Sequence, residues 1–171
     1  HYGTRRQRQM CIRDRSHSLM IAEKLLKICD DVGINLIFKS SFDKANRSSI
    51  NSDRGIKLDD ALKIFEKIKT NFNLPILTDV HNEHQCNQLN QDSIIDIIQI
   101  PAFLCRQTDL LLAAGSTNKI INVKKGQFLS PTDVKNIFTK IETTDNKNII
   151  ITERGTTFGY STLVNDFKGI D

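Results

Sequence analysis

Short apolar runs alternate with segments of helical period along most of this chain, and that alternation limits the folds available to it. The runs at 76–78, 120–123 and 148–152 are rich in β-branched residues, and Gly or Pro punctuates the segments between them. Apolar residues follow one another in these runs and do not alternate strictly with polar ones, which is typical of strands buried on both faces of a parallel sheet. The sequence therefore predicts an α/β protein.

The spacing predicts five strands, at 36–38, 76–78, 94–100, 120–123 and 148–152. Apolar spacing predicts helices over 19–29, which Gly33 closes, over 58–68, over 110–114 and from Pro131 through Phe138. Residues 41–57 are polar and are expected to form a loop, and the segment around His84 is also polar. Five parallel strands fit either an open doubly wound sheet or part of a (β/α)8 barrel. A nucleotide-binding doubly wound sheet is disfavoured, because no G-x-G-x-x-G follows the first strand.

The charge balance separates the first fifteen residues from the rest. The formal net charge of +4 lies entirely in residues 1–15, where five Arg accompany Asp14, so residues 16–171 are neutral overall. Residues 1–15 also lack apolar periodicity and resemble a translated adapter sequence. We expect a leader foreign to the fold at 1–15 and one domain at 16–171, with a basic arm that binds an anionic partner as the alternative. Neither nucleic acid nor membrane is expected as a partner.

Composition limits the remaining function classes. No run approaches the length of a membrane span, and no apolar region follows the first charges, so a cytoplasmic protein is expected. The four Cys lie far apart without a C-x-x-C pair, which favours reduced thiols over disulfides. Residues 81–86 contain His and Cys, but a second half-site at suitable spacing is missing, so no zinc site is predicted.

Cations end three of the five apolar runs. Lys39 ends the first, Lys124 the fourth, and Arg154 follows the fifth. Parallel strands bring their carboxyl ends to one face, so these cations, with Lys44 and Arg47, are expected to converge on a site for phosphate or carboxylate groups. Polar partners are offered by the following residues: Ser41, Asn46, Ser48, Ser49 and Asp79. His81 is interpreted as structural, and no G-x-S-x-G elbow indicates covalent catalysis.

Five stretches, in order, resemble one enzyme family. They are 38–49 (FKSSFDKANRSS), 78–81 (TDVH), 99–109 (QIPAFLCRQTD), 122–128 (NVKKGQF) and 153–160 (ERGTTFGY). Together they resemble the 3-deoxy-D-manno-octulosonate 8-phosphate synthases, or KDO-8-phosphate synthases. The resemblance implies a (β/α)8 barrel that condenses phosphoenolpyruvate with D-arabinose 5-phosphate, releasing phosphate, on the way to the lipopolysaccharide inner core.

The resemblance also implies roles for individual residues. Phosphoenolpyruvate would be held by Lys39, Ser41, Lys44, Gln99, Lys124 and Arg154, and arabinose 5-phosphate by Asn46, Arg47, Ser48 and Asp79. Lys44 and Asp79 would be catalytic, with Lys44 donating a proton to the developing alkoxide. Phe103, Arg106 and Gln107 would reach across a subunit boundary, which implies a homotetramer.

The chain also departs from the family pattern. Five βα units are expected here against the eight of a complete barrel, so we expect the first strand and the last two to be absent and this chain alone to be inactive. Some family members need a divalent metal, and 152–157 looks more like that branch. The family's metal ligands lie on the absent strands, so no metal ligand is assigned in this chain.

Two alternatives stay open. One is the related 3-deoxy-7-phosphoheptulonate synthase, which uses erythrose 4-phosphate, although the 45–49 run (ANRSS) argues against it. The other is a non-catalytic module that binds a phosphosugar.

Overall fold

The computed structural model describes residues 12, 15–47, 49–165 and 167–170. The chain divides into two compact units, residues 1–78 and 79–171. The boundary falls within one strand, and the units are described in turn. Among the residues described, no helix is both long and apolar enough to cross a membrane.

The first unit contains two helices and a pair of parallel strands. Helix α1 spans Arg15–Val32, β1 spans Phe38–Lys39, α2 spans Leu58–Phe72, and β2 begins at Ile76 and ends at Asp79 in the second unit. Gly33, at φ +70°, follows α1 as predicted. Phe38 pairs with Ile76 and Lys39 with Leu77. Ala61, Phe65 and Ile68 share one face of α2 and are fully buried, so this face contributes to the core.

The second unit carries three parallel strands with helices between them. Helix α3 spans Glu83–Asn90, β3 Ile97–Ile100, α4 Thr108–Gly115, β4 Ile120–Lys124, α5 Val134–Glu142 and β5 Ile149–Thr152. Short 3-10 helices occupy Ala102–Leu104, Pro131–Asp133 and Phe167–Gly169, and a small antiparallel hairpin pairs β6 (Thr156–Thr157) with β7 (Leu163–Val164). In β3 and β4, Ile98, Ile100, Ile121 and Val123 are fully buried and form the core of this unit.

The strand order decides between the two predicted architectures. The five parallel strands follow one another in sequence order, β1-β2-β3-β4-β5. A doubly wound sheet reverses its strand order at a switch point, whereas a barrel adds each strand beside the previous one. The sequential order fits part of a (β/α)8 barrel.

Several element predictions are wrong in detail. Residues 36 and 37 precede β1, because only Phe38–Lys39 pairs with β2. Residues 94 and 95 precede β3, since both of their amides donate to the Asp92 carboxylate rather than to a neighbouring strand. The polar segment around His84, for which the sequence predicted no helix, is helix α3. Burial on both faces fails for β5, where Ile150 is 44% exposed.

The predicted leader lies mostly outside the described residues, which include only Ile12 and Arg15 of it. Ile12 is buried, and its amide donates to the Ser41 carbonyl oxygen. Arg15 is the first residue of α1. Whether residues 1–15 are foreign to the fold stays a prediction.

Candidate active site

In the first unit, the predicted ligands lie at the end of β1 and on the loop that follows it. Lys39 ends β1, and its Nζ donates a hydrogen bond to Ser41 Oγ over 2.6 Å. Ser41 is buried and Lys39 half-buried. A buried hydroxyl beside an ammonium group can hold one oxygen of an anion, so this pair is suited to a phosphate or carboxylate.

The loop after Ser41 is braced by a second stretch of backbone. Asp43 and Gly55 form an isolated antiparallel bridge, and the Lys44 amide donates to the Arg54 carbonyl oxygen over 2.6 Å. The Arg54 guanidinium donates to both Asp43 oxygens, over 2.9 and 3.1 Å. The side-chain hydrogen bond to Asp43, and then the charge of Asp43, raise the pKa of Arg54, so the guanidinium stays charged.

Gly55 makes the bracing possible. Its φ is +116°, and a Cβ there would lie 2.1 Å from the Phe42 carbonyl oxygen. Only glycine fits both this backbone conformation and this close approach.

The braced loop presents the predicted sugar-phosphate ligands on a turn. The Arg47 amide donates to the Lys44 carbonyl oxygen over 3.2 Å, so residues 44–47 form the turn. Arg47 is half-buried, and its Nε is buried without a hydrogen-bond partner within the part of the chain that the structure describes. Asn46 is exposed on the same turn, and Ser48 lies outside the described residues. A buried guanidinium nitrogen that lacks an acceptor is suited to an anionic ligand.

In the second unit, Asp79 ends β2 beside a histidine. The His81 Nε2 lies 3.3 Å from Asp79 Oδ2, and each side chain is only 11% exposed. The His81 amide donates to Gln85 Oε1 over 2.7 Å, which attaches this residue to α3. The pair can hold a sugar hydroxyl, with the imidazole and the carboxylate fixing each other's orientation.

A row of polar side chains crosses β3, β4 and β5. Asn122 Nδ2 donates to Gln99 Oε1 at 3.5 Å, and Thr152 Oγ1 donates to Asn122 Oδ1 at 2.7 Å. Gln99 was predicted as a site residue, whereas Asn122 and Thr152 were not. The signal that could have found Asn122 is a polar residue inside the apolar run 120–123.

Lys124 ends β4 and Lys125 follows it, and the two lysines differ in their surroundings. Lys124, the predicted ligand, is half-buried. Lys125, which was not predicted, is only 2% exposed and faces Glu153, which follows β5. Arg154, also a predicted ligand, is exposed next to Glu153. The β4 and β5 ends therefore combine an accessible arginine with an ion pair in which the lysine is buried and the glutamate is half-buried.

The residues predicted to reach a neighbouring subunit lie on the surface. Phe103, in the 3-10 helix Ala102–Leu104, is 57% exposed, and Arg106 and Gln107 are also exposed. An open cavity of about 550 Å³ adjoins Arg106, lined in part by Phe128 and Lys140. Lys140 Nζ donates to the Arg106 carbonyl oxygen over 3.0 Å and so fixes the backbone there.

Each unit thus presents its own part of the predicted site. The first offers Lys39, Ser41, Lys44 and the Asn46–Arg47 turn, and the second offers Asp79, Gln99, Lys124 and Arg154. That these two parts converge on one pair of substrates stays a prediction, as do the roles of the individual residues.

Comparison with known proteins identifies the family. The family model described as the DAHP synthetase I family matches residues 10–171. The chain belongs to the DAHP synthetase I family.

Three curated relatives of this DAHP synthetase I family chain carry the name 2-dehydro-3-deoxyphosphooctonate aldolase, a synonym of KDO-8-phosphate synthase. The Agrobacterium fabrum protein is 51% identical over 91% of this chain and 55% of its own length. The Rickettsia bellii protein is 54% identical over 90% of this chain and 56% of its own length. The Rickettsia typhi protein is 53% identical over 93% of this chain and 57% of its own length. The resemblance to the KDO-8-phosphate synthases is confirmed.

The family also confirms the architecture. Members of the DAHP synthetase I family are (β/α)8 barrels, and this chain spans about 55% of the length of the relatives it matches. Its five parallel strands in sequence order are therefore part of such a barrel.

Proposed function

We propose that this protein condenses phosphoenolpyruvate with D-arabinose 5-phosphate and water, giving 3-deoxy-D-manno-octulosonate 8-phosphate and inorganic phosphate. The observation that carries the proposal is the 51–54% identity to relatives named for this product. The geometry supports it, because every strand of the parallel sheet carries a charged or polar side chain at its last residue or, in β3, at the residue before it. Two phosphorylated substrates need such a set of anion ligands.

Most of the phosphoenolpyruvate ligands in this proposal are cations. Arg154 offers a planar fork to the carboxylate or phosphate, while Lys39 and Lys124 act as point charges. Ser41, already bonded to Lys39, and Gln99, already bonded to Asn122, add neutral hydrogen-bonding groups. Lys44 is placed between the two substrates.

The arabinose 5-phosphate ligands are proposed to lie mainly on the braced loop. Arg47 grips the phosphate, and Asn46 and Ser48 add hydrogen bonds to it. Asp79, held beside His81, orients a sugar hydroxyl. Because Asp43, Arg54 and Gly55 fix the loop backbone, the phosphate ligands are preorganised before substrate arrives.

The proposed chemistry is electrostatic and positional. C3 of the enol attacks the aldehyde carbon of the sugar, and water adds at C2 of the former enol. The tetrahedral intermediate then expels phosphate. Lys44 donates a proton to the alkoxide that forms from the aldehyde oxygen, while the other cations stabilise charge that develops on the phosphate and carboxylate. Because the protein holds the two substrates next to each other, much of the translational and rotational entropy is lost on binding and not in the reaction step.

A divalent metal enters the proposal only as a requirement of some members of this family. Across residues 15–47 and 49–165, no group of three or more His, Cys, Asp or Glu is arranged to hold a metal ion. These residues do not fit a metal centre, so no step above is routed through one.

The assembly and location are also proposals. We propose a homotetramer, in which the exposed Phe103, Arg106 and Gln107 of one subunit complete the site of another. We propose that it acts in the cytoplasm, since phosphate esters are charged and do not cross a bilayer unaided.

Release of inorganic phosphate from phosphoenolpyruvate tests the activity. The protein is expressed from its complete reading frame and assayed with arabinose 5-phosphate, erythrose 4-phosphate or no aldose, with and without added Mn²⁺, Zn²⁺ or Fe²⁺. We expect turnover with arabinose 5-phosphate at least about tenfold above that with erythrose 4-phosphate. The reverse preference would indicate the 3-deoxy-7-phosphoheptulonate reaction. Calorimetric binding of a phosphosugar without turnover under any condition would indicate a non-catalytic module.

A further inference from the structure

Lys125 is a buried cation that the proposed chemistry does not use. It is 2% exposed, and its Nζ donates to the carbonyl oxygens of Leu129, over 3.1 Å, and Gly126, over 3.4 Å. Its charge faces Glu153, whose Oε1 lies 3.5 Å away. The ammonium group is thus enclosed by acceptors and cannot reach a substrate.

Glu153 uses the same oxygen to hold the backbone after β5. Its Oε1 accepts a hydrogen bond from the Arg154 amide over 2.8 Å and another from the Gly155 amide. A carboxylate that accepts hydrogen bonds from two amides and faces an ammonium group is fixed in orientation.

The other side of this turn is also closely packed. Gly155 has a φ of +84°, and a Cβ there would lie 2.6 Å from Asn165 Oδ1 and 2.9 Å from the Val164 carbonyl oxygen. The backbone next to Arg154 therefore lies between the Glu153 carboxylate and the end of β7 with the residue that follows it. The Arg154 side chain itself is exposed.

We propose that Lys125 and Glu153 are positioning residues, which fix the Arg154 backbone so that the guanidinium is already directed when phosphoenolpyruvate binds. The inference rests on the proposed function, in which Arg154 binds that substrate. An arginine on a free turn would lose backbone and side-chain freedom on binding, which weakens affinity, whereas a fixed turn loses less. The pair itself is a poor source of stability, because desolvating two charges offsets most of their attraction.

A positioning role differs from a structural role in one measurable way. If Glu153 acts through Arg154, its removal has little effect on phosphoenolpyruvate affinity once Arg154 is absent. If Glu153 only stabilises the fold, its removal has the same effect whether or not Arg154 is present. A double-mutant cycle separates these cases.

The experiment measures phosphoenolpyruvate binding by calorimetry, which does not require turnover. Four proteins are compared, each expressed from the complete reading frame: the parent, Glu153→Ala, Arg154→Ala and the double variant. We expect Glu153→Ala to raise the Kd about tenfold in the parent and less than about twofold in the Arg154→Ala background. Glu142→Ala, which removes an exposed glutamate at the end of α5, is the matched control and should leave the Kd unchanged.

Two further variants keep the proposal testable if Glu153→Ala does not fold. Glu153→Gln keeps an oxygen for the two amides and loses the charge. Lys125→Met removes the buried ammonium group at similar volume. Each should raise the Kd about threefold in the parent background and leave it unchanged beside Arg154→Ala.

The possible outcomes distinguish failure of the positioning role from failure of the proposed function. An equal effect of Glu153→Ala in both backgrounds, or no effect in either, overturns the positioning role. A parent protein that binds phosphoenolpyruvate but releases no phosphate overturns the proposed function and leaves the positioning role to be decided by the cycle. A parent that does not bind phosphoenolpyruvate overturns both.

Discussion

Arg47 combines a half-buried position with a guanidinium nitrogen that has no acceptor within the described part of the chain. Burying such a donor without a partner costs on the order of 1–3 kcal/mol, so a ligand oxygen that meets it recovers that cost on binding. The turn places it beside Asn46 and after Lys44, on backbone that Asp43 and Arg54 hold in place. These local contacts make Arg47 the sharpest single test of the site.

Arg47→Ala should raise the KM for arabinose 5-phosphate about tenfold to a hundredfold and change the KM for phosphoenolpyruvate less than about twofold. The range corresponds to the loss of a charge-assisted hydrogen bond, about 1.5–3 kcal/mol. Arg47→Lys keeps the charge but loses the planar guanidinium, so its KM for arabinose 5-phosphate should lie between those of the parent and Arg47→Ala. Lys63→Ala, on exposed α2 surface, is the control. Equal effects on both substrates would refute the assignment to the sugar phosphate.

Cys86 predicts a specific pH dependence of stability. Burial, and secondarily the charge of Glu83, raise its pKa from 9.0 to about 12 in the folded protein. The native thiol therefore keeps its proton where the unfolded thiol loses it. The stabilising contribution is complete below pH 9 and declines as the pH rises from 9 towards 12.

Urea unfolding of the parent and of Cys86→Ala at several pH values measures this contribution. The cavity in Cys86→Ala lowers its free energy of unfolding by an amount that does not depend on pH. The measured quantity is therefore how the difference in free energy of unfolding between the two proteins changes with pH. We expect the parent to lose about 1.4 kcal/mol relative to the variant between pH 8 and pH 10. Parallel curves across this range would show that the native thiol ionises normally.

At the scale of elements, long periodic segments were predictable from sequence and short or polar ones were not. Helix α2 shows a clear apolar face, and it begins at residue 58 as predicted but continues beyond the predicted end at 68 to Phe72. Helix α3 buries only Cys86 and Leu89, so it has no apolar period to detect. Its one local signal is Asn82, whose side chain accepts from the Gln85 amide as an N-cap.

The site was predictable to a similar degree. Residues at strand ends follow from parallel topology, which placed Lys39, Asp79, Gln99 and Lys124 in advance. The bracing pairs were not predictable, because Asp43 and Arg54 lie eleven residues apart in a polar loop without periodicity. The Lys125–Glu153 pair likewise depends on β4 and β5 being neighbours.

Gly55→Ala should disrupt the braced loop as an element. The substitution forces a Cβ to within 2.1 Å of the Phe42 carbonyl oxygen at a φ of +116°. We expect a loss of more than about 2 kcal/mol in the free energy of unfolding and a higher KM for arabinose 5-phosphate.

Gly33→Ala is the matched control for this prediction. Gly33 also has a positive φ, +70°, but a Cβ there would meet no atom within 4 Å. The control carries only the left-handed backbone strain, about 1–2 kcal/mol. If Gly55→Ala costs no more than Gly33→Ala by urea unfolding, the close approach at Phe42 does not constrain the loop.

At the scale of the whole molecule, exposed apolar side chains concentrate in particular segments. Phe158 is 75% exposed, Tyr160 99% and Phe167 75%, all within or after the β6–β7 hairpin. Phe103 and Phe128 add a second exposed group near Arg106. Several large apolar side chains left exposed in one segment are typical of an association surface, which fits the proposed homotetramer.

Subunit mixing tests whether Arg106 serves a neighbouring site. Arg106→Ala and Lys44→Ala are each expected to lower activity by at least about tenfold. Mixed tetramers would contain some sites with both residues intact, so activity after subunit exchange should exceed that of both parents. Exchange is confirmed by native mass spectrometry. No recovery despite confirmed exchange would show that Arg106 acts within its own subunit.

The burial of Lys125 also has a consequence for chemical footprinting of the native protein. An amine that is 2% exposed and donates to two carbonyl oxygens is shielded from an acylating reagent. Limited acetylation of the native protein, read by peptide mass spectrometry, should label exposed Lys135 readily and leave Lys125 unmodified until the chain unfolds. The side chain would therefore serve as a built-in reporter of opening between β4 and β5.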